Sequence, residues 1–87
     1  MRKILLEKNA IEDFEYWPKT DLKILKKVAE LFIATARSPF EGIGKPELLK
    51  GELKGFWSRI INTEHRIVYT ADNEKIIIIS CRSHYDF

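Results

Sequence analysis

The chain has 87 residues, which is enough for one small domain, residues 1–87, and too few for two. Its composition, 45% hydrophobic and 32% charged, is that of a globular domain, and a net charge of +2 does not by itself indicate a nucleic-acid partner. A single cysteine excludes an intrachain disulfide, and the absence of a signal peptide or a membrane-length apolar run predicts a cytoplasmic protein.

The first half of the chain predicts a strand and two helices. "RKILLE" reads as a strand, and Asn9 followed by Glu12 predicts the N-cap of a short helix that Pro18 ends. Thr20 or Asp21 then caps a second helix, which closes at Ser38-Pro39. Its apolar residues recur at helical spacing: Leu25, Val28, Ala29, Phe32 and Ala36. The lysines in and just before this helix lie mainly on the opposite side, which is typical of a solvated face: Lys19, Lys23, Lys26 and Lys27.

The second half predicts three strands after a glycine- and proline-bearing loop. The strands are "FWSRII", "HRIVYTA" and "KIIIISCRSHY", with turns at Asn62–Glu64 and Asp72–Glu74. Four consecutive β-branched residues, Ile76 to Ile79, indicate a strand buried on both faces. The predicted fold class is α+β, with two helices on one face of a mostly antiparallel sheet in the order β-α-α-β-β-β.

Four short segments carry most of the reactive side chains. They are the loop Pro39–Gly51, "GFWSR" at Gly55–Arg59, "EHR" at Glu64–Arg66 and "CRSHY" at Cys81–Tyr85. Together they hold a carboxylate, histidines and several cations. Metal-free scission of RNA needs a base for the 2′-hydroxyl, an acid for the 5′-oxygen and cations at the phosphorus, so this set of side chains is suited to that reaction.

These four segments, in this order and spacing, closely resemble the YoeB/Txe toxins of the RelE/ParE superfamily. The resemblance runs nearly end to end and rests on "GKPE" before a lysine, "GFWSR", "EHRIVY" and a terminal "CRSHY". It extends to "YWPKTDLKILKKVAELF" at Tyr16–Phe32. The resemblance implies a RelE-like microbial RNase fold. It also implies the toxin of a type II toxin–antitoxin system, a ribosome-dependent endoribonuclease that cuts messenger RNA in the decoding site.

The resemblance assigns three catalytic residues. Glu47 is the predicted general base, although neighbouring cations would weaken it unless substrate buries it. His84 is the predicted general acid, since histidine both holds and delivers a proton near neutrality. Arg66 is the predicted charge stabiliser, with an ion pair to Glu64 or Glu74 as the alternative.

Four further residues are predicted to bind substrate: Lys50, Arg59, Arg82 and Tyr85. For the three cations a solvated surface charge is nearly as good an interpretation, whereas the tyrosine ring suits stacking on an unpaired base. His65 is interpreted as a turn or sheet-edge residue, and Trp57 as a stacking or packing residue. The sequence has neither a zinc ligand set nor a phosphate-binding glycine loop, so the enzyme is expected to use no metal or cofactor.

The chain departs from the family pattern at three places. Ile60 replaces a frequent second arginine, Leu48 replaces a frequent proline, and Asp86-Phe87 extends the usual end. The first departure removes one expected phosphate contact, and the third adds an acid and an aromatic ring close to His84.

The expected partners are those of a toxin that acts on the ribosome: messenger RNA, the ribosome and a cognate antitoxin of the YefM/Phd type. A second copy of the chain is a further candidate, operator DNA is reached only through the antitoxin complex, and no membrane is involved. Two other functions stay open. One is a non-catalytic module that inhibits a topoisomerase by binding it, and the other is a transcriptional co-repressor that acts with its antitoxin.

Overall fold

Two helices cover one face of a five-stranded sheet. The structure, a computed structural model, describes residues 1–83. Its elements are β1 (Lys3–Leu6), α1 (Lys8–Thr20), α2 (Leu22–Arg37), β2 (Glu47–Leu48), β3 (Trp57–Ile60), β4 (Arg66–Ala71) and β5 (Lys75–Ser80). The predicted α+β class and element order are confirmed, and β2 is an additional strand of two residues.

The strand order across the sheet is β1-β5-β4-β3-β2. The consecutive pairs β2–β3, β3–β4 and β4–β5 are antiparallel. Strand β1 instead runs parallel to β5, with Lys3 opposite Lys75 and Leu6 opposite Ile78. The first strand therefore pairs with the last one, and the two helices connect β1 at one edge of the sheet to β2 at the opposite edge.

Helix α1 differs from the prediction at both of its ends. Helix α1 begins at Lys8 and has Glu7 at its N-cap without a side-chain capping bond, so the prediction of an Asn9 cap is wrong. Pro18 lies inside α1 because helical bonding resumes after it, with the Asp21 N–H donating to the Trp17 carbonyl at 2.8 Å. Asp21 also caps α2, as predicted, since its carboxylate accepts two backbone N–H groups of the first turn.

The core lies between the helices and one face of the sheet. Ile76 and Ile78 are fully buried there, whereas Ile77 and Ile79 point to the other face and are only half-buried. The prediction that this strand is buried on both faces is wrong, because no helix covers the second face. The helical residues of this core are Ala10, Trp17, Val28, Leu31, Phe32 and Ala36. No helix within residues 1–83 is long and apolar enough to cross a membrane.

A hydrogen bond from α1 holds the chain in place just after the end of β5. A register shift places Val68 opposite Ser80 and Tyr69 opposite Ile78, so β5 bulges by one residue. The next residue, Cys81, is fully buried, and its carbonyl accepts the Trp17 indole N–H at 3.0 Å. Burial, with a smaller contribution from the nearby Asp13 carboxylate, raises the pKa of the Cys81 thiol to about 12. The thiol therefore stays protonated and serves as a small packing group.

Candidate functional site

The sheet register brings Glu47 and Arg66 to the same face. Glu47 is opposite Ser58, and Ser58 is opposite Val68, so the three side chains project to one side. Arg66 precedes Val68 by two residues and shares its orientation. The intervening Ile67 points to the helices, where it is fully buried. Glu47 and Arg66 therefore lie on the helix-free face of the sheet.

The separation of these two residues suits a phosphodiester. Two inter-strand steps and a displacement of two residues along β4 place the Cα atoms of Glu47 and Arg66 roughly 12 Å apart. Glutamate and arginine side chains are long enough to reach one phosphate across a gap of this size. A carboxylate base and a guanidinium placed so can act on opposite sides of one phosphorus.

Glu47 is an exposed residue on the edge strand β2. It borders a depression of about 340 Å³ that Lys50 also lines, so the structure brings these two predicted residues together. The apolar lining is Leu48, Leu49 and Leu53. Leu48, which stands where a proline is frequent, takes a regular strand position opposite Trp57. The depression offers a cation and an apolar surface beside the predicted base.

Arg59 is not a substrate-binding residue in this structure, and the prediction for it is corrected. Its side chain is 0% exposed, and its guanidinium is used inside the protein. The acceptors are the carbonyls of Ile43 (3.0 Å from Nη1), Glu41 (2.9 Å from Nη2) and Ser38, and the hydroxyl of Tyr69 (3.2 Å from Nε). A phosphate has no access to such a group. Arg59 instead fixes the loop that leads to Glu47.

Two further hydrogen bonds hold the same loop in place. The Tyr69 hydroxyl donates to the Pro39 carbonyl at 2.5 Å, and burial raises the pKa of this phenol although the adjacent Arg59 opposes the shift. Gly44, at φ +81°, accepts the Ile60 N–H at 2.6 Å. A Cβ on Gly44 would lie 2.9 Å from Leu31 and 3.1 Å from Arg59, so only glycine fits there. The backbone is therefore held three residues before Glu47.

Replacing Arg59 by methionine should lower the free energy of unfolding by about 3–5 kcal/mol, because several buried carbonyls would lose their donor. Tyr69→Phe, which removes one hydroxyl from the same network, should lower it by about 1–3 kcal/mol. Urea unfolding measures both, and the exposed Lys54→Met is the matched control with almost no effect. An Arg59→Met protein with the wild-type urea midpoint would contradict the loop-anchoring role.

Arg66 is half-buried at the start of β4. Its Nη1 donates to the carbonyls of Asn62 at 2.7 Å and His65 at 3.1 Å. Within the described part of the chain, the alternative ion pair with Glu64 or Glu74 is not seen. Arg66 stands directly opposite Ile60, so the arginine that this chain lacks would have lain beside it on the helix-free face.

The segment after β5 leads toward Arg66. Arg82 places its guanidinium 4.0 Å from the centre of the Tyr16 ring on α1, so it is a half-buried cation outside the sheet. Ser83 follows, and its carbonyl accepts the Arg66 N–H at 3.0 Å. The predicted acid His84 and the predicted stacking residue Tyr85 lie outside the described residues. The chain thus reaches position 84 from a residue that is hydrogen-bonded to Arg66.

Sequence reasoning missed two contacts, one of which had a visible signal. In "FWSRII" the core-facing positions are Trp57, Arg59 and Ile61, and an arginine between two apolar residues at a spacing of two predicts an inward guanidinium. The contact between the His65 Nδ1 and the Ser83 N–H, at 2.7 Å, had no comparable signal, because it joins two turns that are distant in sequence.

Comparison with solved structures first places the chain in a fold class. The toxin–antitoxin complex RelBE2 from Mycobacterium tuberculosis includes a chain that is similar at a TM-score of 0.75 and 21% identity, covering 95% of this chain and 98% of that one. At this identity the likeness shows a shared fold and nothing more.

The family is shown more directly. A family model described as "YoeB-like toxin of bacterial type II toxin-antitoxin system" matches residues 6–85. The toxin YoeB of Escherichia coli K12 is 48% identical over 83 residues, which is 95% of this chain and 99% of the relative. The chain belongs to the YoeB-like toxins of bacterial type II toxin–antitoxin systems.

Two solved structures from Staphylococcus aureus are similar over almost their whole length. A YoeB dimer matches with a TM-score of 0.88 and 47% identity, covering 97% of this chain and 98% of that one. A heterotetrameric YoeB–YefM toxin–antitoxin complex matches with a TM-score of 0.86 and 46% identity, covering 98% and 99%.

Proposed function

We propose that this toxin is a ribosome-dependent endoribonuclease that cleaves messenger RNA in the decoding site and so stops translation. The observation that carries the proposal is the shared placement of Glu47 and Arg66 on the helix-free face, with Ser83 hydrogen-bonded to Arg66 immediately before His84. The proposal places one phosphate between this base, this cation and the segment that bears the acid.

The proposed reaction is an attack of the ribose 2′-hydroxyl on its own 3′-phosphate. Glu47 accepts the 2′-hydroxyl proton, and the 2′-oxygen forms a bond to phosphorus. The bond from phosphorus to the 5′-oxygen breaks, and His84 gives that oxygen a proton. Arg66 stabilises the negative charge that builds up on the phosphate oxygens. The products are a 2′,3′-cyclic phosphate end and a 5′-hydroxyl end, and the reaction needs no metal or cofactor.

Substrate binding is assigned to residues around this centre. Lys50 lines the same depression as Glu47 and is placed to contact an adjacent phosphate. Arg82 and Tyr85, on the segment that follows β5, are proposed to hold the message by charge and by stacking. A net charge of +2 gives only weak attraction for free RNA. The ribosome would therefore supply most of the positioning, which is worth several kcal/mol of the barrier.

The proposed partner that controls the enzyme is a YefM-like antitoxin. The support is the S. aureus YoeB–YefM complex, whose toxin is similar to this chain over nearly all of its length. The S. aureus YoeB dimer supports a second copy of the chain as another partner. We place the protein in the cytoplasm, where ribosomes are found, and assign operator DNA only to the complex with antitoxin.

Variants of Arg66 test the assignment of the charge stabiliser. Arg66→Ala should abolish almost all cleavage of message on programmed ribosomes, whereas Arg66→Lys should keep a measurable fraction, because lysine retains the charge but loses the bidentate contact. The measurement is primer extension on ribosome-bound message, with the same message free of ribosomes as control. Equal activity in all three proteins would contradict the role of Arg66.

A further inference from the structure

His65 is the one histidine of the described chain, and the proposed reaction does not use it. Its side chain is 12% exposed, and its ring meets the indole of Trp17 edge-on, with ring centres 4.8 Å apart at 80°. It lies between the proposed cation, Arg66, and the turn that precedes it. A polar ring that is so enclosed is normally hydrogen-bonded, and this one is.

The hydrogen bond of His65 goes to the segment that bears His84. Its Nδ1 accepts the backbone N–H of Ser83 at 2.7 Å. The carbonyl of the same Ser83 accepts the backbone N–H of Arg66 at 3.0 Å. Both backbone groups of Ser83 are therefore held by the dipeptide His65-Arg66. The residue that follows in the chain is the proposed general acid.

Ser83 needs this support because of its backbone conformation. Its φ is +66°, in the left-handed region that residues other than glycine seldom adopt. Such a conformation persists only where the surroundings hold it. Here the two hydrogen bonds from His65-Arg66 do so, and the sharp turn at Ser83 sets the direction in which the chain continues.

The ring of His65 is itself fixed in place, and its hydrogen bond selects one tautomer. The Asn62 Oδ1 accepts the His65 backbone N–H at 2.7 Å, which orders the turn that carries the ring. Because Nδ1 accepts a hydrogen bond, it has no proton, so the neutral ring carries its proton on Nε2. That nitrogen lies 3.6 Å from the Glu64 carboxylate.

We propose that His65 is a positioning residue for the reaction: as the Nε2–H tautomer it fixes Ser83, the residue from which the chain continues to the proposed acid, His84. This inference rests on the proposed nuclease function. His65 touches neither substrate nor the reacting atoms. Its role is to hold the residue that precedes the proposed acid, since a misplacement of about 1 Å at a reacting centre lowers the rate by a large factor.

Two variants separate the hydrogen bond from the packing. His65→Phe keeps an aromatic ring against Trp17 but cannot accept the Ser83 N–H, whereas His65→Asn loses the ring but keeps an acceptor at the position of Nδ1. His65→Phe should lower kcat for cleavage of ribosome-bound message about 10- to 100-fold with little change in KM. His65→Asn should recover most of that loss. If His65→Asn is as impaired as His65→Phe, packing and not the hydrogen bond matters, and the proposal is wrong.

The free protein offers a second measurement. Amide exchange at Ser83 should be about tenfold faster in His65→Phe than in the wild type and nearly unchanged in His65→Asn. The ¹⁵N shifts of wild-type His65 should show Nδ1 without a proton. A protonated Nδ1 at neutral pH, or Ser83 exchange that does not respond to His65→Phe, would overturn the inference even if a variant folds poorly.

A double-mutant cycle distinguishes failure of this inference from failure of the proposed function. In a His84→Ala background, His65→Phe should have almost no further effect on cleavage, because the group it positions is gone. An additive loss would show that His65 acts independently of His84. A His84→Ala protein with full activity would instead contradict the proposed reaction, whatever the exchange of Ser83 shows.

Discussion

Glu47→Gln should lower cleavage of ribosome-bound message by roughly 10²–10⁴-fold, because the amide cannot accept the 2′-hydroxyl proton. His84→Ala should cause a loss of the same size by removing the proton donor for the 5′-oxygen. Glu47 is exposed on an edge strand, so its substitution should leave the free energy of unfolding almost unchanged. Single-turnover cleavage on programmed ribosomes measures both losses.

Glu52→Gln is the matched control for Glu47→Gln. Glu52 is an exposed carboxylate in the short 3₁₀ turn Gly51–Leu53, close in sequence to Glu47 but absent from the depression that Glu47 lines. The control should cleave at the wild-type rate. If folded Glu47→Gln and His84→Ala proteins stop growth as fast as the wild type at equal expression, the toxin acts by binding a target and not by cutting RNA.

A message with a 2′-deoxynucleotide on the 5′ side of the cut should not be cleaved at all. The proposed nucleophile is the 2′-oxygen of that nucleotide, and its removal leaves no internal group that can attack the phosphorus. A 2′-deoxy substitution one nucleotide further toward the 3′ end should be cleaved normally. Mass spectrometry of the fragments from an all-ribose message should then show a 2′,3′-cyclic or 3′-phosphate end and a 5′-hydroxyl end.

The chemistry of the fragment ends can also contradict the assignment of Glu47 as the general base. A 5′-phosphate product would mean that water or another external nucleophile attacks the phosphorus. In that case Glu47 does not act as the base for the 2′-hydroxyl, even if its substitution abolishes activity. Cleavage of the deoxy-substituted message at the same position leads to the same conclusion by an independent route.

Local sequence signals predicted most of the fold. The apolar spacing of α2, the Asp21 cap and the turns before β4 and β5 depend on residues that are close together in the chain, and each was found. The failures involve competition with tertiary structure. Pro18 was expected to end a helix, but the bonds after it continue the helical pattern, and the packing of Trp17 beneath it keeps the last turn in place.

The candidate site was predicted from motifs, and the sequence alone gave no distance between its residues. Glu47 and Arg66 share one face of the sheet because of the pairing of β2 with β3 and of β3 with β4, and no local signal fixes such a register. Arg59 shows the opposite problem. It belongs to a motif of the family, and its residue type suggested a contact with phosphate. Its position in the strand instead directs its side chain into the protein, where it is buried.

The parallel pairing of β1 with β5 has a consequence for synthesis of the protein. Lys3–Leu6 is made first and has no partner until Lys75–Ser80 has left the ribosome. The nascent chain therefore carries an unpaired apolar strand for almost the whole of its translation, and contacts between such distant segments form slowly. The Ser83 turn depends on the same final strand. A partly made chain therefore lacks both the completed sheet and the turn that precedes His84.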